Sequence, residues 1–155
     1  IPDDEVKKKR LPIPAPDLVK IQQECMALDD EPRWLIALIS DTGMRLSEAC
    51  GLQACDIHLE GNTPHINLVE HPWRRLKTTS SSRQVPLVGA SLWAAHRIKD
   101  AGSNLAFPNF CSDAECNANS ACAALNKWLQ SRVPDGCVIH SFRHSLRDRR
   151  RAIEA

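Results

Sequence analysis

The chain has 155 residues, 43% of them hydrophobic, and a formal net charge of +1. That is enough apolar material for one core of domain size, and the lack of an apolar run of about 18 residues excludes a membrane-spanning helix. The near-neutral charge argues against a uniformly basic surface, but it hides an asymmetry. Between Glu24 and Glu60 eight acids stand against Arg33 and Arg45; between His71 and Lys99 there are six bases and no acid; between His140 and Arg151 five arginines face only Asp148. One side of such a protein can meet a polyanion without the whole being basic.

The opening stretch is polar, begins without Met and has no signal-peptide pattern. With its Lys7-Lys8-Lys9-Arg10 run it reads as a linker over residues 1–14, left where a longer protein was cut. Pro12, Pro14 and Pro16 predict extended backbone up to Asp17, and Leu18, Ile21, Cys25 and Leu28 then recur at helical spacing. Asp29-Asp30-Glu31-Pro32 stops that helix and starts another. Trp34 to Ile39 is apolar nearly all round, which predicts the most buried element, ending at Asp41-Thr42-Gly43. A short helix from Leu46 to Cys50 is expected to close at Gly51 with a left-handed cap.

The period then changes from helix to strand. Cys55, Ile57 and Leu59 alternate with Asp56, His58 and Glu60, predicting a half-buried strand; Gly61-Asn62 turns the chain, and Ile66 and Leu68 point inward on the way back. A basic, Ser-rich tip from Trp73 to Ser82 leads to a third strand, Gln84 to Val88, which Pro86 confines to an edge. Helix returns from Ser91 to Ala101 and stops at Gly102. A long loop, Ser103 to Asn117, is anchored by Phe107 and Phe110, and a further helix shows Cys122, Leu125 and Leu129 on one face. After Pro134-Asp135-Gly136 a last helix begins at His140, with Phe142, Leu146 and Ile153 on its apolar side and Arg147, Arg149, Arg150 and Arg151 in water. The fold class is mainly α with a small three-stranded antiparallel sheet (α+β), in one domain over residues 15–155.

Seven cysteines, an odd number at mostly apolar positions, read as small buried hydrophobes in a reducing compartment, hence a cytoplasmic location. The closest pair is Cys111 and Cys116. Zinc sites use two such pairs, so no metal is assigned.

Three stretches carry chemistry. His140 and Arg143, three apart at a helix start whose N–H groups lack partners, make an anion-binding corner. In Thr42-Gly43-Met44-Arg45-Leu46-Ser47-Glu48 a Gly bend follows the buried helix and sets Arg45 on a rigid junction; the plain alternative is that Arg45 and Glu48 only pair with each other. Leu76-Lys77 to Arg83-Gln84-Val85-Pro86-Leu87 puts a lysine among hydroxyls and arginines, which suits a phosphate backbone or, more simply, a soluble loop.

Together, in this order, the three resemble the catalytic domain of the tyrosine recombinases, the phage integrase family. Arg45 and Glu48 match that family's Thr-Gly-x-Arg-x-x-Glu, Lys77 and Arg83 to Leu87 match its hairpin lysine and Arg-x-Val-Pro-Leu strand, and His140 and Arg143 match its His-x-x-Arg. Ser141 and Phe142 depart from the usual acid and leucine. The larger departure is that the sequence has no tyrosine, so the nucleophile, and a Gly-His or Gly-Trp step before it, are expected beyond Ala155, and the domain is expected to lack its C-terminal end.

The resemblance implies site-specific DNA recombination through a 3′-phosphotyrosyl intermediate, double-stranded DNA as partner, a homotetramer on recombination sites, a phage or mobile-element origin, and no cofactor. Arg45 and Arg143 would clamp the non-bridging oxygens of the attacked phosphate, where charge builds in the transition state. Their planar forks stay charged and donate paired hydrogen bonds, so no divalent cation is required. Lys77 is the expected general acid toward the leaving 5′ oxygen. His140 either accepts the nucleophile's proton or donates to phosphate. Glu48 is expected to orient its helix or Arg45 rather than act in catalysis, and Arg74, Arg75 and Arg83 to hold the DNA backbone. The rival readings are a type IB topoisomerase, a non-enzymatic DNA-binding remnant, and a helical interaction domain.

Overall fold

Pro14, at φ −57° and ψ 144°, caps the first helix, α1 (Ala15–Leu28). The computed structural model describes residues 11–74, 82–112 and 114–154, with side chains of that last stretch described up to 149. Pro16 does not extend the strand-like entry; it lies in the first turn of α1, where its missing N–H would have had no partner in any case. Asp29 ends α1 in the left-handed region, at φ 50°. Asp30 then caps α2 (Glu31–Thr42) by accepting the Arg33 N–H at 3.1 Å.

Every residue of α2 from Leu35 to Ser40 is buried. The helix packs against α1, against α4 (Gly89–Ala101) and against the last helix, α6 (Ser141–Glu154), so it is the axis of the core. It stops at Gly43, whose φ of +68° suits glycine and whose N–H returns to the Ile39 carbonyl at 2.9 Å. A Cβ on Gly43 would sit 2.7 Å from Cδ2 of Leu146 on α6. The close approach brings the end of α2 and the face of α6 together. The same pairing is tied by Arg149, which donates to Asp41 Oδ1 at 2.9 Å and to the Ser40 carbonyl at 2.7 Å. Arg149 was expected in water and instead bridges two helices. Arg150, Arg151 and Ile153 fall outside the described side chains.

The short helix α3 (Leu46–Cys50) ends at Gly51, but not through a left-handed cap: φ there is −91°. Glycine is needed because the aliphatic stem of Arg74 lies 2.6 Å from where its Cβ would be. The expected strand at Cys55 also shrinks. Ala54–Asp56 forms a 3-10 turn, Cys55 is exposed, Asp56 is buried, and only Ile57–His58 form β1. Asp56 caps the turn through the Gln53 N–H at 3.0 Å and pairs with His71 Nε2 at 2.7 Å, which a solvent-facing strand residue could not do.

Strands β2 (His65–Leu68) and β3 (Arg83–Pro86) complete an antiparallel sheet of order β1-β2-β3. Ile57, Ile66 and Val85 lie in register across it and all face the core. Pro86 lies on the edge strand. Phe107, wholly buried, anchors the loop before α5 (Ala118–Leu129), and Ala121, Leu125 and Leu129 are that helix's buried stripe, with Cys122 half-buried beside it. Ser145 on α6 accepts the Ile13 N–H at 2.6 Å and donates to the Ile13 carbonyl at 3.1 Å, so the segment leading into α1 is held by the last helix. No described helix is long and apolar enough to cross a membrane.

Candidate functional site

The Gly43 stop fixes where the chain leaves α2, and two residues later Arg45 caps α3 with extended backbone, φ −69° and ψ 147°. Its N–H donates to Glu48 Oε1 at 2.9 Å, the reciprocal half of a capping box. Glu48 is 3% exposed. Its carboxylate does not pair with the Arg45 side chain. It accepts instead from Arg83, Nη1 to Oε2 at 3.2 Å and Nη2 to Oε1 at 3.3 Å. Arg83 reaches it because the β2–β3 register sets Arg83 opposite Leu68. Burial pushes the Glu48 carboxyl up. The Arg83 hydrogen bonds, the Arg45 N–H and the charges of Arg83 and Arg143 outweigh that and hold it below the ordinary glutamate range.

His140 and Arg143 enter from the other side. Ile139, wholly buried, has its N–H bound to Asn126 Oδ1 of α5 at 2.8 Å. Ser141, also wholly buried, accepts the Val138 N–H at 2.9 Å. These bonds fix the approach to α6, so His140 immediately precedes the helix and Arg143 lies in its first turn.

A cleft of about 460 Å³ is lined by Arg45, Glu48, Arg83, Arg143 and Arg147, with Gly43 and Leu146 at its wall. A second hollow of about 350 Å³ adjoins it and shares Arg45, Arg143 and Arg147, adding His140 and His144. Residues far apart in the sequence thus line one connected depression. Burial is the first cause that draws the Arg143 guanidinium below its ordinary value; the charges of Arg45, Arg147 and Arg83 add to it, against Glu48. Among the described residues, no carboxylate is hydrogen-bonded to the Arg45 or Arg143 side chain. Four guanidiniums round one buried carboxylate leave positive charge for which an anion is the natural complement.

Arg147 was read from the sequence only as a wet residue. Its spacing of four from Arg143 places both on one helical face, the signal that could have included it. Arg74 is the opposite case. Expected on the DNA backbone, it is 4% exposed and donates to the Glu48 carbonyl at 2.8 Å and the Val69 carbonyl at 2.6 Å. Those bonds tie the start of the hairpin to α3, and a guanidinium used this way cannot reach a phosphate. The Trp73 indole donates to the Gly51 carbonyl at 2.9 Å and secures the same junction. Lys77 and Arg75 lie outside the described residues. No group of three or more His, Cys, Asp or Glu among the described residues could hold a metal ion.

The phage integrase family model matches residues 14–149. The structure of the Tn1549 transposon integrase with transposon right-end DNA aligns with a TM-score of 0.68 and 16% identity, over 96% of this chain and 56% of that one. The same integrase with circular intermediate DNA gives 0.61 and 17%, over 95% and 54%. The XerH site-specific recombinase in a post-cleavage complex on a palindromic difH substrate gives 0.61 and 17%, over 90% and 41%. At such identities the likeness establishes the fold, a mainly helical domain with a small antiparallel sheet. The chain spans about half the length of these structures or less. None of the curated proteins matches it.

Proposed function

We propose, from the fact that this chain belongs to the phage integrase family, that it is the catalytic segment of a site-specific DNA recombinase that cuts and rejoins strands through a 3′-phosphotyrosyl intermediate. The observation that carries the reading is the shared cleft of Arg45, Arg143 and Arg147, with His140 at its edge. A phosphodiester placed there would put its non-bridging oxygens between Arg45 and Arg143. Those oxygens gain charge as a hydroxyl attacks, so fixed donors favour the transition state over the ground state. His140 would accept the nucleophile's proton or bind phosphate, and Lys77 would protonate the leaving 5′ oxygen. Arg83 and Glu48 would hold Arg45 in place, while Arg75 would contact the backbone.

The sequence has no tyrosine, and the matched integrase is nearly twice as long in its aligned form. The proposal therefore assigns the nucleophile to residues after Ala155, an N-terminal DNA-binding region to residues before this chain, and residues 1–14 to the linker between. It also includes double-stranded DNA as partner and a tetramer on paired sites, in a DNA-associated, cytoplasmic setting. The second reading is a DNA-binding remnant that keeps the phosphate clamp of Arg45 and Arg143 without cleaving.

The deciding experiment is covalent attachment to a labelled DNA duplex by the protein expressed from its coding sequence extended past Ala155. Attachment that disappears in Arg45→Ala and Arg143→Ala supports the recombinase. Salt-sensitive DNA binding without attachment supports the remnant, and neither binding nor attachment rejects both. Slow cleavage by Lys77→Ala, restored by a 5′-bridging sulfur leaving group, would identify the acid; no rescue rejects that role.

A further inference from the structure

Three thiols meet away from the arginine cleft. Cys111 and Cys116 face each other across an isolated antiparallel bridge. The flanking hydrogen bonds run from the Ser112 N–H to the Glu115 carbonyl at 2.8 Å and from the Asn117 N–H to the Phe110 carbonyl at 2.7 Å. They join the neighbours of the pair rather than the pair itself. This is the non-hydrogen-bonded type of opposed pair, with Cα atoms about 4.5 Å apart and both side chains leaving on one face. A disulfide needs a Cα separation of roughly 4.4 to 6.8 Å, so the backbone suits one without rearrangement.

Cys50, the last residue of α3, brings a third thiol against Cys116, with its Sγ 3.9 Å from the Phe110 carbonyl. All three are free cysteines; Cys50 and Cys111 are buried and Cys116 is partly buried against the core. The Cys50 hydrogen bond foremost, then that of Cys111 and the charge of Arg74, outweigh burial and hold the Cys116 thiol below its ordinary range. Burial first, with Cys116 beside it, pushes Cys111 up. A half-buried thiol whose proton is loosened by its neighbours, with a second thiol opposite it, is a setting in which oxidation is site-selective.

We propose that Cys116 and Cys111 form an oxidation site for hydroperoxides, with Cys116 as the attacked thiol and Cys111 as the thiol that resolves it. The Cys116 thiolate attacks one peroxide oxygen, the O–O bond breaks, and the departing hydroxide or alkoxide takes up a proton. Cys116 is left as a sulfenic acid. The Cys111 sulfur then attacks the Cys116 sulfur, the S–O bond breaks, and the Cys111 proton leaves with the hydroxyl as water. Two thiols become one disulfide while the hydroperoxide is reduced to water and its alcohol, or to two waters from hydrogen peroxide. The site is independent of the recombinase reading. The spacing that looked like half a zinc site belongs here to a tight hairpin that a disulfide closes at low entropic cost.

The test treats the native chain with hydrogen peroxide at neutral pH, blocks remaining thiols, and maps them by mass spectrometry, with exposed Cys55 as internal control. The expected result is loss of two hydrogens, an intramolecular Cys111–Cys116 link, and reversal by dithiothreitol. In Cys111→Ala a sulfenic acid should be trapped at Cys116 by dimedone, and Cys116→Ala should form no link. Preferential oxidation of Cys55, a Cys50–Cys116 link, or a purely intermolecular disulfide overturns the proposal. The wild-type map decides even if a variant does not fold.

Discussion

Arg74 and Arg143 both surrender water, and their surroundings are opposite. Burial draws the Arg74 guanidinium below its ordinary value, but the charges of Asp56 and Glu48 oppose that, and two backbone carbonyls accept from its Nη1 and Nη2 while Nε stays without a partner. Around Arg143 the neighbouring charges of Arg45, Arg147 and Arg83 work in the same direction as burial, and only Glu48 opposes them. A structural arginine is surrounded by acceptors; a site arginine is surrounded by its own kind, held apart by a scaffold and short of an anion. Desolvation alone does not tell the two apart. The sign of the neighbours does.

The contrast can be broken most sharply at Arg143. If the recombinase reading holds, Arg143→Ala in the protein extended past Ala155 should cut covalent DNA attachment by on the order of a hundredfold or more, with the thermal midpoint little changed because no buried protein acceptor is orphaned. Arg74→Met should do the reverse. Removing a charged donor from the Glu48 and Val69 carbonyls should cost about 3 kcal/mol of stability, read as a lower urea midpoint, while the Arg143 side chain is left in place. Equal loss of stability in both variants would erase the distinction.

Between these in character is Glu48, which belongs to both regions. Its carboxyl is held below the ordinary glutamate range in the folded chain, so between the folded and unfolded values the unfolded chain binds more protons. Its stabilising contribution is therefore complete above the unfolded value and is lost as pH falls through the depressed folded one. Urea midpoints measured across that acid limb should fall in the wild type and fall less steeply in Glu48→Gln. An unchanged limb would mean that Arg83 does not stabilise the ionised form.

The elements were legible because periodicity reports burial directly: Leu18, Ile21 and Cys25, the run from Trp34 to Ile39, and the Ile66–Leu68 alternation all face the core. The failures share a cause. Cys55 and Leu59 carried a strand pattern, but Asp56 found buried partners in the Gln53 N–H and His71, and the tertiary bonds overrode alternation. Gly51 does close α3, but a left-handed cap was expected there because its close neighbour, Arg74, is distant in sequence. Arg74, Arg147 and Arg149 were indistinguishable by composition, since what separates them is the identity of a neighbour on another element. Motif spacing pointed to Arg45, Glu48, His140 and Arg143, and the structure brings them to one depression. It could not say that Glu48 would hold Arg45 by its backbone and Arg83 by its side chain.

The smallest expected effect tests that last point on one helix. Arg147 faces the cleft and Arg149, two residues on, is engaged with Asp41 and the Ser40 carbonyl. If the cleft meets a phosphate backbone, Arg147→Ala should lower the slope of log binding constant against log salt by about 0.9 for each phosphate left without its cation, at nearly unchanged stability. Arg149→Ala removes the same formal charge from the same helix, but its charge is already matched by Asp41. It should leave the salt slope nearly intact and lower the urea midpoint instead. Net charge is equal in the two variants, so long-range attraction weakens about equally. Any difference in slope then reports which guanidinium faces the DNA, and equal slopes would mean that binding follows overall charge rather than the cleft.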